Sequence, residues 1–415
     1  MSSKADVIIV GGGLVGLSCA HYLKEQGADV LLLDRGRYAE SASAGNAGMI
    51  VPSHIIPLSA PGVIAKGLKW LMNPESPLYI KPSADPKFMK WLWLFQKHCT
   101  VAHVERSVPI LRDLSLASKD LLTQLCALPG FENVGLEQDG LLMLHATEKS
   151  AKDNAELADI AEEAGLDIDR LDRDATMALE PALKTKVTGS VYFRQDASLD
   201  PERLMRALEA QVRNAGVRFL DAAVTGLKRS GNRVVAVKTA EGTFEADHVV
   251  MAAGSWTPSL VKGLGLSLPV QPAKGYSVTV PVDEPSIRIP CVLTDEKVTI
   301  TPMPGSIRFA GTLALQGYDM SIDERRVRPI RRLAEVYCPP ADVAAQETWA
   351  GFRPVSPDGL PYIGALSKTP NVYVATGHGM MGVTLAPITG RLIADRIGGH
   401  TPSLDDAPFS AERHA

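Results

Sequence analysis

Three glycines at the spacing G-x-G-x-x-G, Gly11, Gly13 and Gly16, followed downstream by the acid Asp34, are the residues of this chain whose pattern most directly specifies chemistry. Gly11 permits a tight turn, Gly13 lets backbone N–H groups approach a pyrophosphate, and Gly16 lets a helix lie close to the strand before it. Leu14 and Val15 open that helix, whose unsatisfied N–H groups and partial positive charge suit a phosphate. Asp34 follows at about the 20-residue distance where a carboxylate accepts hydrogen bonds from an adenosine ribose. Arg35 beside it leaves slight room for a 2′-phosphate. The alternative is a glycine-rich turn without a ligand, but strand, glycines, helix, second strand and terminal acid in this order point to a bound dinucleotide.

Two late stretches extend that reading to a flavin. One, Gly351 to Gly364, is dense in turn formers around a single cation, Arg353. The other, Ala375 to Thr384, places Gly377, His378, Gly379, Met380, Met381, Gly382, Val383 and Thr384 at the start of a closing helix. A second helix N-terminus with close-approach glycines can meet the pyrimidine end of an isoalloxazine, where reduction places negative charge. Nicotinamide-dependent enzymes need no such anchor. Between the two ends, Ser43, Asn46, Ala47, Gly48 and Met49 form a side-chain-poor segment against which a flat ligand can lie, with Asn46 offering an amide. A flexible loop is the plainer account of it. Val224, and the run Ala253, Gly254 and Trp256 after an apolar strand, complete the expected cofactor contacts.

These motifs resemble those of the FAD-dependent amine and amino-acid oxidoreductases, the family of D-amino-acid dehydrogenase, D-amino-acid oxidase, glycine oxidase and sarcosine oxidase. The resemblance covers nearly the full length and rests on the first glycines, the loop from Ser43 to Gly48, Ala252 to Trp256, Arg353 to Gly364, and Gly377 to Gly379. The Val51 to Pro61 loop and the Lys274 to Ser277 turn look most like the D-amino-acid dehydrogenase branch, with enzymes of D-proline or cis-4-hydroxy-D-proline as a candidate subclass.

The resemblance implies that Arg353 grips a substrate carboxylate, a contact suited to a planar guanidinium, although a structural salt bridge would also explain an arginine there. It implies that Tyr276 adds a hydroxyl to the same carboxylate, unless it is an ordinary half-buried strand tyrosine. His54 and His378 would border the flavin, though a lone histidine is more often satisfied structure. The implied reaction is hydride transfer from the amine-bearing carbon to FAD, giving an imine that water hydrolyses, with no side-chain base strictly required. Electrons then go to a quinone, another acceptor or oxygen. Sarcosine oxidases hold flavin on a cysteine near the C-terminal motif, and this chain has none after Cys338, so the FAD is expected to be non-covalent. A glycine- or sarcosine-type amine oxidase and a non-catalytic FAD-binding subunit are the alternatives.

The elements that must position these residues follow from apolar periodicity. Strands are expected at Val7–Val10, Val30–Leu33, Gly140–His145, Ser190–Arg194, in a meander from Val217 into Asp247–Met251, and at Asn371–Ala375. Helices are expected over Leu14–Gln26, much of Pro61–Leu128, from Thr147 to about Gly165, from Asp200 to Gly216, over Asp323–Tyr337, and from Gly382 to Arg396. Pro269–Val280 and Cys291–Thr312 alternate like half-exposed antiparallel strands. The predicted fold is α/β: a Rossmann-like FAD-binding domain (1–60, 195–268 and 345–415) with an α+β substrate domain (61–194 and 269–344) carrying a mixed antiparallel sheet.

A net charge of −4 argues against a nucleic-acid footprint. The five cysteines are scattered with no C-x-x-C, the usage of a reducing compartment. His98 and His103 lack metal-ligand spacing, so no metal is expected. No secretory leader or bilayer-length apolar run is read, which suggests a cytoplasmic protein. The stretch Phe88–Phe95, with Trp70 upstream, concentrates three of the five tryptophans. It reads as a core or domain-interface helix, with peripheral contact at the inner membrane as the alternative. No feature fixes an oligomeric state.

Overall fold

The strands Lys4–Val10 and Val30–Asp34 are apolar on both faces, so each needs cover on two sides. In the computed structural model, which describes residues 4–36, 41–64, 76 and 78–414, they lie at the centre of a parallel sheet. Arg218–Asp221, Val30–Asp34, Lys4–Val10, the end of Gly242–Met251 and Thr369–Thr376 run side by side in one direction. The start of Gly242–Met251 instead joins Arg233–Thr239 and Val224–Ser230 in the expected antiparallel meander. One face is covered by the helices Leu14–Glu25, Val101–Cys126, Pro201–Asn214 and Gly382–Gly398, through Leu17, Leu114, Leu208 and Leu392. The other packs Ile8, Leu31 and Val249 against Leu264 and Leu268.

The second sheet runs in the order Thr348–Val355, Gln271–Pro281, Ser306–Leu315, Val298–Met303, Cys291–Leu293, Leu141–His145, Gly189–Phe193 and Ile168–Asp172. Its pairings are antiparallel except that Cys291–Leu293 runs parallel to Leu141–His145, and Leu78–Ile80 parallel to Ser306–Leu315. The helix Glu324–Tyr337 covers one face through Val327, Ile330 and Leu333. The cap residues Thr147, Asp200 and Asp323 accept backbone N–H groups of the helices they open, as their types require.

Three local expectations change. Gln271–Pro281 is buried along nearly its whole length rather than half-exposed. The helix takes one face, and the loop of residues 44–46 lies against the sheet, held by Ser277 Oγ donating to Gly45 O (3.2 Å) and Arg308 Nη1 donating to Ala44 O (2.9 Å). Lys274 to Ser277 is therefore mid-strand and not a turn. Opposite Gly275, the register jumps between Ala314 and Gly311, so Thr312 and Leu313 form a bulge. The residues around Arg353, read as turn-rich, are extended in Thr348–Val355, and the turn follows after Val355.

Within Pro61–Leu128, the described helices are Pro86–His98 and Val101–Cys126; Trp70 lies outside the described residues. Phe88, Trp91 and Phe95 stack into the interior, and Trp91 Nε1 donates to Val355 O at 3.1 Å. Trp93 and Met89, each 53% exposed, point the other way. Among the described residues no helix is long and apolar enough to cross a membrane, and no group of His, Cys, Asp and Glu could hold a metal.

Candidate active site

A cleft of about 340 Å³ opens along the carboxyl ends of the parallel strands, where open α/β sheets bind ligands. Gly11, Gly13, Leu14, Val15, Asp34, Arg35, Ser43, Asn46, Val224, Ala253, Gly254, Trp256, Arg353, His378, Gly379, Gly382 and Val383 all border it. Gly16 does not, because its place is underneath: a Cβ there would come within 1.9 Å of Gly11 O. Gly11 itself has φ +116, and a Cβ on it would meet Ala252 O at 2.5 Å, so the first strand turns hard against the end of its neighbour.

Two helix N-termini face this cleft, at Leu14 and Gly382. Neither N-cap residue, Gly13 or Met381, supplies a side-chain acceptor, and neither helix has an acid in its first turn. Such ends suit the phosphates and the electron-rich ring edge of a flavin dinucleotide. Ser43 Oγ accepts from Leu14 N (3.2 Å), and Asp34 Oδ2 accepts from Gly12 N (2.7 Å). The Asp34 carboxylate also accepts from Gly36 N at 3.0 Å, which leaves lone pairs for a ribose. The Arg35 guanidinium lies 4.1 Å over the Trp256 ring, so that side chain is engaged by an aromatic face. These residues fit an FAD.

A second cavity of about 470 Å³ adjoins the first, sharing Asn46, Phe352 and Arg353 with it. Ala47, Met49, His54, Tyr276, Gly351, Met380 and Met381 border this one. Gly48, Gly377 and Thr384 border neither. Thr384 Oγ1 accepts from Val51 N (3.2 Å) and fastens the loop before His54 to the closing helix.

Arg353 stands at the junction of the two cavities. Its Nη1 donates to Thr312 O at 2.9 Å, and no carboxylate among the described residues pairs with it. Enclosure by protein pushes its pKa down to about 10, still far above neutral, so the cation persists without a counter-charge. The salt-bridge account is thereby excluded for the described residues. Thr312 has φ +64, a costly backbone for a β-branched residue, and the bulge it creates turns its carbonyl to the guanidinium. That feature has no sequence signal. Gly275 does: a Cβ there would lie 1.9 Å from Arg353 Nη1, so only glycine leaves the guanidinium its place. Gly275→Ala is expected to cost little stability, since the obstructing atom ends a flexible chain. By displacing Arg353 about 1 Å it should lower kcat/KM for carboxylate substrates roughly 10²-fold, read by steady-state kinetics beside thermal unfolding.

Tyr276 is buried under the helix Glu324–Tyr337, and its hydroxyl accepts from Asp323 N at 3.4 Å. His378 is buried and its pKa is pushed down to about 4 by burial. Its Nε2 lies 2.9 Å from Thr389 Oγ1, which itself donates to Leu385 O, so the histidine donates and is neutral. His54 is likewise held neutral by burial, at about 4.

The chain is similar over nearly its whole length to proteins called D-amino acid dehydrogenase. That of Bradyrhizobium diazoefficiens is 33% identical, covering 99% of each chain. That of Vibrio vulnificus is 36% identical, covering 94% of this chain and 95% of the other. Among solved structures, glycine oxidase from Geobacillus kaustophilus is 26% identical with a TM-score of 0.79, covering 99% of each chain. The model of the family described as FAD dependent oxidoreductase matches residues 6–396, from the first strand to the closing helix. With two helix ends, a ribose acid and a flat loop arranged around one cleft, the chain belongs to the FAD-dependent oxidoreductase family.

Proposed function

We propose that this protein oxidatively deaminates D-amino acids, with Arg353 holding the substrate carboxylate. The observation that carries the reading is a half-buried guanidinium, enclosed enough for desolvation to lower its pKa and without a carboxylate partner among the described residues, on the wall of a largely apolar cavity. A buried charge lacking a partner is costly unless a ligand supplies one. FAD in the adjoining cleft supplies the two-electron acceptor. The chain's own residues do the rest: Arg353 orients the acid, while Met49, Val51, Leu58 and Leu313 receive the side chain and exclude water. The names of the similar proteins support the D-amino acid class. The cofactor contacts are assigned to the cleft residues named above, with Gly16 setting the turn from below.

The pocket suits a substrate larger than glycine, which favours D-proline, cis-4-hydroxy-D-proline or acyclic apolar D-amino acids over a glycine- or sarcosine-type amine. None of the cysteines borders either cavity, which supports non-covalent FAD. We keep the division into an FAD-binding part and a substrate part but move the edge strand Thr348–Val355, expected in the FAD-binding part, to the substrate side, because it is hydrogen-bonded into that sheet. Electrons leave to a quinone or oxygen. We place the protein in the cytoplasm, with Met89 and Trp93 as the face for any contact at the inner membrane. Anaerobic mixing of the FAD-loaded protein with D- and L-proline, 4-hydroxy-D-proline, D-alanine, glycine and sarcosine tests the reading. D-amino acids should bleach the flavin absorbance; bleaching by glycine or sarcosine alone would overturn it.

A further inference from the structure

The short ladder between Met49–Ile50 and Ala197–Ser198 brings two distant segments together just before His54. Asp196, wholly buried, thereby meets Ser53 twice: Ser53 N donates to Oδ1 at 3.0 Å, and Ser53 Oγ donates to Oδ2. A serine hydroxyl has one proton to give. Having given it to Asp196, Ser53 Oγ must accept at its other contact, His54 Nδ1 at 3.2 Å. With Asp196 ionised, His54 is therefore the Nδ1–H tautomer, and its Nε2 lone pair, without a partner among the described residues, belongs to a side chain on the wall of the second cavity. The chain His54, Ser53, Asp196 runs unbroken from that cavity into the interior.

We propose that this chain is a proton relay, in which His54 Nε2 takes the proton that the substrate's ammonium group must lose and Asp196 stores it. The inference rests on the proposed function for the identity of the substrate. The N–H bond of the ammonium breaks and the proton joins Nε2. The Nδ1 proton passes to Ser53 Oγ, whose own proton passes to Asp196 Oδ2. The substrate ends as a neutral amine, Asp196 as a neutral acid, His54 as the other neutral tautomer, and no electrons change hands. Asp196 suits the storage role because burial pushes its pKa up to about 7, while its bonds from Ser53 and the Lys119 ammonium on the helix Val101–Cys126 hold it down from going further. His54 is shifted by burial alone, which opposes a lasting charge and favours passing the proton on. Arg353 and Lys297 are the cations facing the same cavity.

Two measurements on the full chain test the relay. In the FAD-free protein above about pH 7, where Asp196 is ionised, ¹⁵N shifts of His54 should report the Nδ1–H tautomer; the Nε2–H tautomer under those conditions would overturn the proposal. In the FAD-loaded protein, the anaerobic rate of flavin reduction by D-proline or D-alanine is followed against pH for wild type, Ser53→Ala, Ser53→Thr and Asp196→Asn. Near neutral pH, Ser53→Ala and Asp196→Asn should lose on the order of 10²-fold. The deficit should shrink as pH passes the substrate's amine pKa, and Ser53→Thr should recover the wild-type profile. Profiles running parallel to wild type, whatever their offset, would show that these residues merely support the loop. A wild type inert to every D-amino acid, with the Nδ1–H tautomer intact, would refute the proposed function and the relay's substrate role, while leaving the hydrogen-bonded chain standing.

Discussion

Arg353→Met is expected to lower kcat/KM for D-amino acids by roughly 10²–10⁴-fold, the 3–5 kcal/mol or so that follows removal of one partner from a buried charge pair. The loss should sit largely in binding, because the guanidinium contacts the carboxylate before and during reaction alike. The same variant should be more stable than wild type when no substrate is present. In the unliganded protein the cation has Thr312 O as its protein acceptor and no counter-charge among the described residues. Methionine fills similar volume without that desolvation penalty. The opposed signs are the test: a higher melting temperature together with a lower affinity marks a residue kept for a ligand. A structural arginine would lose both. Substrate should raise the melting temperature of wild type and leave Arg353→Met unmoved.

How far the sequence reveals this site depends on the range of the contacts. The first glycines, Asp34 and the two helix starts are local devices, in which spacing alone fixes geometry. Gly11, Gly13, Asp34 and the two helix starts are found together on one cleft with Gly16 beneath it, and the helix starts at Thr147, Asp200 and Asp323 were equally legible. Arg353 was legible as a residue but not in its setting. Its acceptor is the carbonyl of Thr312, produced by a bulge whose positive φ no residue type announces. Lys274 to Ser277 read as a turn because a glycine interrupts the pattern. That glycine marks a close approach inside a strand. Asp196 gave no signal at all, since it lies in sequence 143 residues from Ser53 and becomes a partner through a two-residue ladder.

The partly wrong expectation for Gln271–Pro281 has the same origin. Alternation predicts one wet face, and the strand does alternate, but the loop of residues 44–46 covers the face that would be wet. This loop is poor in side chains for a reason the sequence did not show. At Gly45 a Cβ would fall 2.0 Å from the Trp349 indole, so its bareness admits a protein ring as well as offering a surface to a ligand. The cover that buries the strand thus also forms a wall between the two cavities: Asn46, within it, and Ala42, just before it, border both.

Gly16→Ala should abolish retention of FAD through purification, with affinity reduced by on the order of 10²-fold or more. An added Cβ would lie 1.9 Å from Gly11 O, a backbone atom that cannot swing aside. Relief requires the helix Leu14–Glu25 to withdraw by more than 1 Å from the turn, carrying its N-terminal donors away from where a pyrophosphate would sit. Gly27→Ala in the same unit is the control. Gly27 has φ +82 and open space around its Cβ, so alanine there brings backbone strain of about 1–2 kcal/mol without moving the helix start. Both variants should unfold at lower temperature than wild type. FAD titration, followed by quenching of flavin fluorescence, should separate them, with near-wild-type affinity for Gly27→Ala. Equal affinities in the two variants would mean that the glycine turn is not what holds the phosphates.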